Sequence, residues 1–171
     1  IYYNSLAQSF YSQITALLGM NWGFDAYKLM GLAPYGKPEL SIDRIKQIID
    51  IDKTNPLKFR NKIDAYMHTM QPKLRELLKK DRFDNIAAAT QSWFETLITK
   101  WVSNAVEKTG IRKIACAGGS FLNVKANRKI LSLDDIDDAF FCPAASDEGL
   151  AVGAALKGYF EIALRDGIKP I

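Results

Sequence analysis

The sequence predicts an α/β fold in which a mixed sheet is flanked by helices. Two observations carry this prediction. Stretches with apolar residues at helical spacing alternate with two short apolar stretches, residues 112–117 and 138–142, that have the length and composition of strands. Each of these strands runs directly into a turn, the first at Gly118 and the second at Pro143. This alternation is the element order of α/β proteins, whose ligands bind at the carboxyl ends of strands.

The amino-terminal half is predicted to be helical with one interruption. Residues 5–18 have helical spacing, and Gly19 follows as a stop signal. Residues 31–38 contain two glycines and two prolines, which predicts a structured loop. Residues 41–51 have a serine cap and isoleucines at helical spacing, residues 55–64 predict a loop or short hairpin, and residues 72–80 predict a short basic helix. We interpret residues 39–82 together as a variable insertion.

The carboxy-terminal half has clearer patterns. Residues 83–109 carry one broad apolar stripe, which predicts the longest helix, and Gly110 ends it. After the buried strand 112–117 we expect a helix over 123–131, the second strand, and a last helix over 148–164. Ser146 or Asp147 is expected to cap that helix, and its small residues Gly149, Gly153, Ala154 and Ala155 would permit very close packing.

Composition is that of an ordinary globular domain. The chain has 171 residues, 23 basic against 19 acidic, and a net charge of +4, so we expect neither a nucleic-acid partner nor a membrane. Cys116 and Cys142 suggest buried small side chains in a reducing, cytoplasmic setting. The only histidine, His68, is interpreted as a surface or core-edge residue. The chain starts inside a hydrophobic pattern without an initiator Met, from which we expect a piece of a longer protein.

The stretch "KLMGLAPYGKP" at residues 28–38 is the first candidate binding element. Gly31 and Gly36 would let the loop lie flat against a ligand, and Tyr35 could stack or donate a hydrogen bond. Lys28 and Lys37 could meet phosphates. The alternative is a rigid surface turn.

The stretch "AGGSFLN" at residues 117–123 is the second. Gly118 and Gly119 directly after a strand would let backbone N–H groups approach an anion, and Asn123 offers an amide that donates and accepts. The alternative is a plain strand-to-helix turn.

The stretch "CPAASDEGLAVGAAL" at residues 142–156 is the third. Asp147 would place a carboxylate at the end of a strand, able to bind a metal or a ligand hydroxyl, or it would simply cap the helix. Cys116 and Cys142 should end neighbouring strands at one sheet edge, which would bring Gly119 and Asp147 side by side. If the three stretches form one site, six residues must converge on one cleft: Tyr35, Gly36, Gly118, Gly119, Asn123 and Asp147.

In this order the motifs resemble those of the NodU/CmcH-type carbamoyltransferase family. The similarity is carried by "YKLMGLAPYGKP", "AGGSFLNVKANRKI", "CPAASDEGLAVGAAL" and the preceding "SLAQSFYSQITALLGM". The resemblance implies the second lobe of a Kae/TsaD-like domain with the actin-like ATPase (ASKHA, RNase H-like) fold. The first lobe and a YrdC-like domain would be absent from this chain.

The resemblance also implies a reaction and roles for residues. Family members make carbamoyl-adenylate from carbamoyl phosphate and ATP and transfer the carbamoyl group to an acceptor hydroxyl. By analogy, Lys28, Gly31, Tyr35 and Gly36 would hold the nucleotide. The other candidates, Gly118, Gly119 and Asn123, would lie at its phosphate, with Asn123 and Asp147 catalytic.

The resemblance further implies a metal and partners. Asp147 would be one ligand of a divalent metal, in the family usually iron, whose HxxxH ligands would lie outside this chain. The partners would be the rest of the same polypeptide and a small hydroxyl acceptor. The chain alone would be inactive, with exposed apolar surface that favours self-association. Two alternatives remain: a lobe of an actin-like sugar or acyl kinase, and a non-catalytic interaction module.

Overall fold

A computed structural model describes residues 4–66 and 69–169, so His68 lies outside the described residues. The helices within them are α1 (Ser12–Leu17), α2 (Ala26–Leu32), α3 (Ile42–Ile45), α4 (Met70–Leu78), α5 (Phe83–Thr109), α6 (Val124–Leu131) and α7 (Gly149–Arg165). The strands are β1 (Ile49–Ile51), β2 (Phe59–Asn61), β3 (Lys113–Cys116) and β4 (Asp138–Phe141). One π-helical turn, Ala7–Tyr11, precedes α1.

Helix α5 is the centre of the molecule, and its predicted bounds are confirmed. Its apolar stripe is buried, with Phe94, Leu97, Ile98 and Val102 all at most 3% exposed. A helix of 27 residues is too long to be stabilised by propensity alone, and this one is covered by α2, α3 and α6 along its length. Packing therefore stabilises both α5 and the elements that cover it.

The described residues between 39 and 82 contribute apolar side chains to the core of this chain. Strands β1 and β2 pair antiparallel in a hairpin, with Ile49 opposite Asn61. Only β2 lies within residues 55–64, where a loop or short hairpin was predicted, and its partner strand precedes that range. The hairpin is tied to α5 because the Trp93 indole N–H donates to the Ile49 carbonyl and the Trp101 indole N–H donates to that of Leu57, each at 2.9 Å. Ile45 and Ile48 are fully buried beside it. Whether this segment is an insertion relative to other proteins stays a prediction.

The predicted helix over 41–51 is wrong in its second half. Helix α3 ends at Ile45, and residues 49–51 form β1 instead. Ser41 makes no cap, because its hydroxyl donates to Asp81 at 2.5 Å. Isoleucines suit both helix and strand, and pairing with β2 decides between them.

The loop predicted over 31–38 is also partly helical. Gly31 lies inside α2, which continues to Leu32, and two single 3₁₀ turns follow, Ala33–Tyr35 and Pro38–Leu40. The first of these turns packs against α5.

Strands β3 and β4 pair in parallel, with Cys116 opposite Phe141. The described strands thus form two separate small sheets, one antiparallel and one parallel, rather than the single mixed sheet that was predicted. β3 is also less buried than predicted, since only Cys116 of its residues is fully covered. Burial raises the pKa of the Cys116 thiol, consistent with an inert apolar position.

Helix α7 is largely exposed, with Ala163 its only buried residue. Large apolar side chains on its surface include Leu150, Leu156, Phe160 and Leu164. Close packing occurs at Gly149 alone among its glycines, where a Cβ would lie 2.3 Å from the Ala144 carbonyl oxygen. The predicted cap is wrong, because the N-cap is Glu148 and no side chain bonds the first turn.

Candidate functional site

A cavity of about 880 Å³ lies where β3 and β4 end. The prediction that these strands are neighbours is confirmed, because the Cys142 N–H donates to the Cys116 carbonyl at 3.0 Å at the end of the parallel ladder. The turns after both strands contribute to the cavity wall, through Gly118, Gly119 and Asn123 on one side and Asp147 on the other.

The turn after β3 presents unused backbone donors. Gly118 has φ +103° and ψ 154°, and its N–H donates to the Ala145 carbonyl at 2.5 Å, which joins the two turns. The next residues form a single 3₁₀ turn, Gly119–Leu122. Within the described part of the chain, the N–H groups of Gly119 and Ser120 donate no hydrogen bond. They are therefore available to an anion or a polarised carbonyl oxygen at the cavity.

Asp147 is exposed and carries the only carboxylate in the cavity wall formed by the described residues. Its carboxylate makes no hydrogen bond or ion pair to the residues that the structure describes. Its backbone carbonyl accepts from the Leu150 N–H at 3.1 Å as α7 begins. The carboxylate is thus free to meet a ligand.

An aromatic wall formed by Trp22, Phe24 and Tyr27 faces these turns, and sequence reasoning missed it. The three side chains are 55%, 80% and 62% exposed. They stand on a tight turn in which Asn21 Oδ1 accepts from the Gly23 N–H and Asp25 Oδ2 accepts from the Asn21 N–H, each at 3.0 Å. An Asn followed two residues later by Gly is a recognisable turn signal that could have drawn attention to this wall.

Buried polar side chains form the inner end of the cavity. Tyr11 and Asn123 line the cavity, and Gln91, Glu95 and Lys129 lie behind them. We call these five residues the amide network. Burial, and next the charge of Glu95, raise the pKa of Tyr11, so its hydroxyl stays protonated. Gln91 was not predicted to matter, although a glutamine amid the apolar residues of α5 is an available signal.

Four of the predicted residues do not reach this cavity. Lys28, Gly31, Tyr35 and Gly36 are absent from its wall among the described residues. Gly36 instead contacts the start of α5, where an added Cβ would lie 2.0 Å from the Asp84 carbonyl oxygen.

The neighbours of Gly36 follow the same pattern. The Lys37 N–H donates to Asn85 Oδ1 at 2.9 Å, while Lys28 pairs with Asp25 at 2.9 Å. Tyr35 is 80% exposed. The expected convergence therefore holds for the second and third stretches and not for the first within this chain. The binding roles of all these residues stay predictions.

The described residues do not build a metal centre. They contain no group of three histidine, cysteine or carboxylate side chains placed to hold an ion, and Asp147 stands alone at the cavity. A single carboxylate can supply only one of the several ligands that iron requires. Within the described residues, no helix is long and apolar enough to cross a membrane.

A protein-family model described as the carbamoyltransferase N-terminus matches residues 1–156. The chain belongs to this family. The match includes the three glycine-bearing stretches and the aromatic wall, so the NodU-type resemblance drawn from the motifs is confirmed.

Relatives in other organisms agree with this assignment. An uncharacterised protein of Methanocaldococcus jannaschii is 32% identical over 149 residues, which is 85% of this chain and 24% of that protein. The nodulation protein NolO of Bradyrhizobium diazoefficiens is 30% identical over 164 residues, or 90% of this chain and 28% of NolO. The nodulation protein NolNO of Sinorhizobium fredii is 31% identical over 135 residues, which is 78% of this chain and 20% of NolNO. The chain spans about a quarter of the length of these curated relatives.

Proposed function

We propose that this member of the carbamoyltransferase N-terminal family takes part in transfer of a carbamoyl group from carbamoyl-adenylate to an acceptor hydroxyl, the adenylate being made from carbamoyl phosphate and ATP. One observation carries the proposal. The parallel pairing of β3 and β4 puts free N–H groups at Gly119 and Ser120 and the free carboxylate of Asp147 on the wall of one cavity. Family membership favours this reading over a kinase lobe or a module without chemistry.

The backbone N–H groups and the Asp147 carboxylate would supply most of what the transfer reaction requires. The acceptor oxygen bonds to the carbamoyl carbon, the bond from that carbon to the phosphate oxygen breaks, and AMP leaves with the electron pair. Negative charge grows on the phosphate oxygen of the departing AMP, where the N–H groups of Gly119 and Ser120 would donate. The acceptor proton goes to a base, and Asp147 is the carboxylate in position among the described residues.

Other parts of the proposal rest on resemblance. They are an actin-like, Kae/TsaD-like lobe, a first lobe and YrdC-like domain elsewhere in the polypeptide, and a cytoplasmic setting in which Cys116 and Cys142 stay free. Asp147 would give one ligand to a divalent metal whose other ligands come from outside this chain; no step above runs through it. The exposed apolar residues of α7 would favour self-association of the isolated chain.

The test uses the complete protein that carries this chain, with Gly119→Val and Asp147→Asn. An added Cβ at Gly119 meets nothing within 4 Å, so Gly119→Val should fold and yet block approach of a phosphate to the backbone. We expect it to lose binding of ATP by calorimetry. Asp147→Asn should keep ATP binding and lose carbamoyl transfer, followed with radiolabelled carbamoyl phosphate and a panel of hydroxyl acceptors.

Leu122→Ala gives a matched control at the rim of the same cavity, since this exposed side chain offers no polar group. Normal transfer by both Gly119→Val and Asp147→Asn would refute the site. Equal loss of ATP binding in both would keep the site and refute the division of roles.

A further inference from the structure

We infer that Gln91 is a positioning residue that acts on the Gly118–Gly119 turn through Asn123, and that Asn123 anchors this turn rather than touching the ligand. This inference rests on the proposed function, since it assigns parts within the same cavity. It concerns residues that lie 32 positions apart in the sequence and meet in the buried amide network.

Gln91 has every hydrogen-bonding position of its side chain occupied. Its Oε1 accepts from the Tyr11 hydroxyl at 2.6 Å and from Asn123 Nδ2 at 2.9 Å. Its Nε2 donates to Glu95 Oε1 at 2.6 Å and to Asn123 Oδ1 at 3.0 Å. A primary amide has two donor hydrogens and two acceptor lone pairs, so the residue is saturated while only 4% exposed.

Asn123 is committed to the same structure. Its Oδ1 accepts from Gln91 Nε2 and also from the Ala126 N–H at 3.1 Å, which caps α6. Its Nδ2 donates one hydrogen to Gln91 Oε1 at 2.9 Å. A ligand that recruited Oδ1 would have to displace one of its two buried hydrogen bonds and leave that partner unpaired, which is costly. Asn123 therefore serves better as an anchor than as a contact.

The anchor sets the place of the free donors. Asn123 directly follows the 3₁₀ turn Gly119–Leu122, and its N–H reaches back to the Ser120 carbonyl at 3.4 Å. Asn127 holds the same turn by donating to the Phe121 carbonyl at 2.8 Å. Where Asn123 sits thus decides where the N–H groups of Gly119 and Ser120 point.

Asn123 is in turn held in place by helix α5. Gln91 and Glu95 are one helical turn apart on α5, and Glu95 pairs with Lys129 of α6 at 2.8 Å. The Gln91–Asn123 hydrogen bonds and the Glu95–Lys129 ion pair therefore both hold α6 against α5. The Tyr11 hydroxyl donates to Gln91 Oε1, which leaves the Gln91 NH₂ facing Glu95 and fixes the orientation of the amide.

A double-mutant cycle in the complete protein tests the inference. Gln91→Met keeps the length of the side chain and removes its hydrogen bonds. We expect Gln91→Met and Asn123→Ala each to raise the KM for ATP about tenfold, the size expected if the displaced turn loses one hydrogen bond to the nucleotide. The double variant should be no more than about twofold worse than the poorer single variant, because both changes release the same anchor.

Gln71→Met is the matched control. Gln71 also uses its amide to hold helices together, donating to the Gln13 carbonyl at 2.8 Å and to Gln13 Oε1 at 3.0 Å, but it lies outside the cavity wall. It should leave the KM unchanged. An additive double variant would overturn the inference. So would a Gln91→Met variant with the KM of the unaltered protein beside an impaired Asn123→Ala, since that result makes Asn123 a ligand contact.

Amide hydrogen exchange separates failure of this inference from failure of the proposed function. Gln91→Met should speed exchange of the Ala126 N–H at least tenfold, whereas Gln71→Met should not, whether or not the protein transfers carbamoyl groups. Unchanged exchange would overturn the inference. If Gln91→Met fails to fold, Tyr11→Phe takes its place, because it keeps the edge-to-face contact with Phe94 at 5.0 Å and removes only the donor to Gln91.

Discussion

Two glycine-bearing turns of this protein look alike as sequence and differ as structure. In the first, Gly36 is pressed against the start of α5, where the Asp84 carbonyl oxygen would lie 2.0 Å from an added Cβ. In the second, Gly118 and Gly119 face open space, with no atom within 4 Å of an added Cβ. The first turn needs glycine because of its neighbours. The second needs it at Gly118 because of the backbone, whose φ is +103°.

The difference shows how to separate a packing glycine from a candidate binding glycine. A close neighbour explains Gly36 fully, and the loop around it is locked further by the bond from the Lys37 N–H to Asn85. Neither crowding nor backbone conformation explains Gly119, whose N–H is free within the described chain. A glycine without a structural reason beside a cavity is the better functional candidate.

The largest effect should come from Gly36→Ala. The new Cβ overlaps backbone atoms of α5 that cannot move without unwinding the helix, so we expect a loss of about 3 kcal/mol in the free energy of unfolding, the upper end for overpacking. Urea unfolding measures it. Gly31→Ala is the control, because an added Cβ there meets nothing within 4 Å. A loss below about 1 kcal/mol at Gly36 would contradict the packing role given to this glycine.

Gly118→Ala should have an intermediate effect. Its backbone lies in a region that is almost restricted to glycine, which costs another residue about 1–3 kcal/mol. Gly119→Ala, in open space at an ordinary φ, should change stability by no more than about 0.5 kcal/mol. Thermal and urea unfolding compare the two, and equal losses would remove the distinction between these neighbouring glycines.

The smallest effect concerns pH and the segment at Ser41 and Arg44 that follows the first turn. Burial would raise the pKa of Asp81, but hydrogen bonds from Arg44 and Ser41 outweigh it and leave the pKa below its usual value of about 3.9. A carboxyl whose pKa is lower in the folded state stabilises the fold above its ordinary pKa, and this contribution disappears as pH falls through the lowered value.

Asp81→Asn should therefore reduce stability at pH 7 by about 1 kcal/mol, and its difference from the unaltered protein should shrink below about pH 4. Urea midpoints between pH 2 and pH 7 test this. The backbone bond from Gly118 to Ala145 carries no titratable group, so the second turn has no counterpart to this dependence. A difference that is constant over the whole range would contradict the role given to Asp81.

Local patterns were sufficient for much of the fold. The unbroken stripe of residues 83–109 predicted α5 to the residue, and the two apolar stretches predicted β3, β4 and their shared edge. These succeed because helical periodicity and strand ends are properties of neighbouring residues. Where a segment suited two structures, as at residues 49–51, pairing with a distant strand decided and the sequence pattern misled.

The sequence by itself determined the family, the central helix and the position of the two turns that meet at the cavity. Each of these features depends on a pattern within a continuous stretch of residues. Only the tertiary structure decided why Gly36 is a glycine, that Trp22 and Tyr27 face the cavity, and that Asn123 is held by Gln91. Each of these depends on atoms tens of positions away, and burial and hydrogen-bond saturation exist only once those positions are packed together.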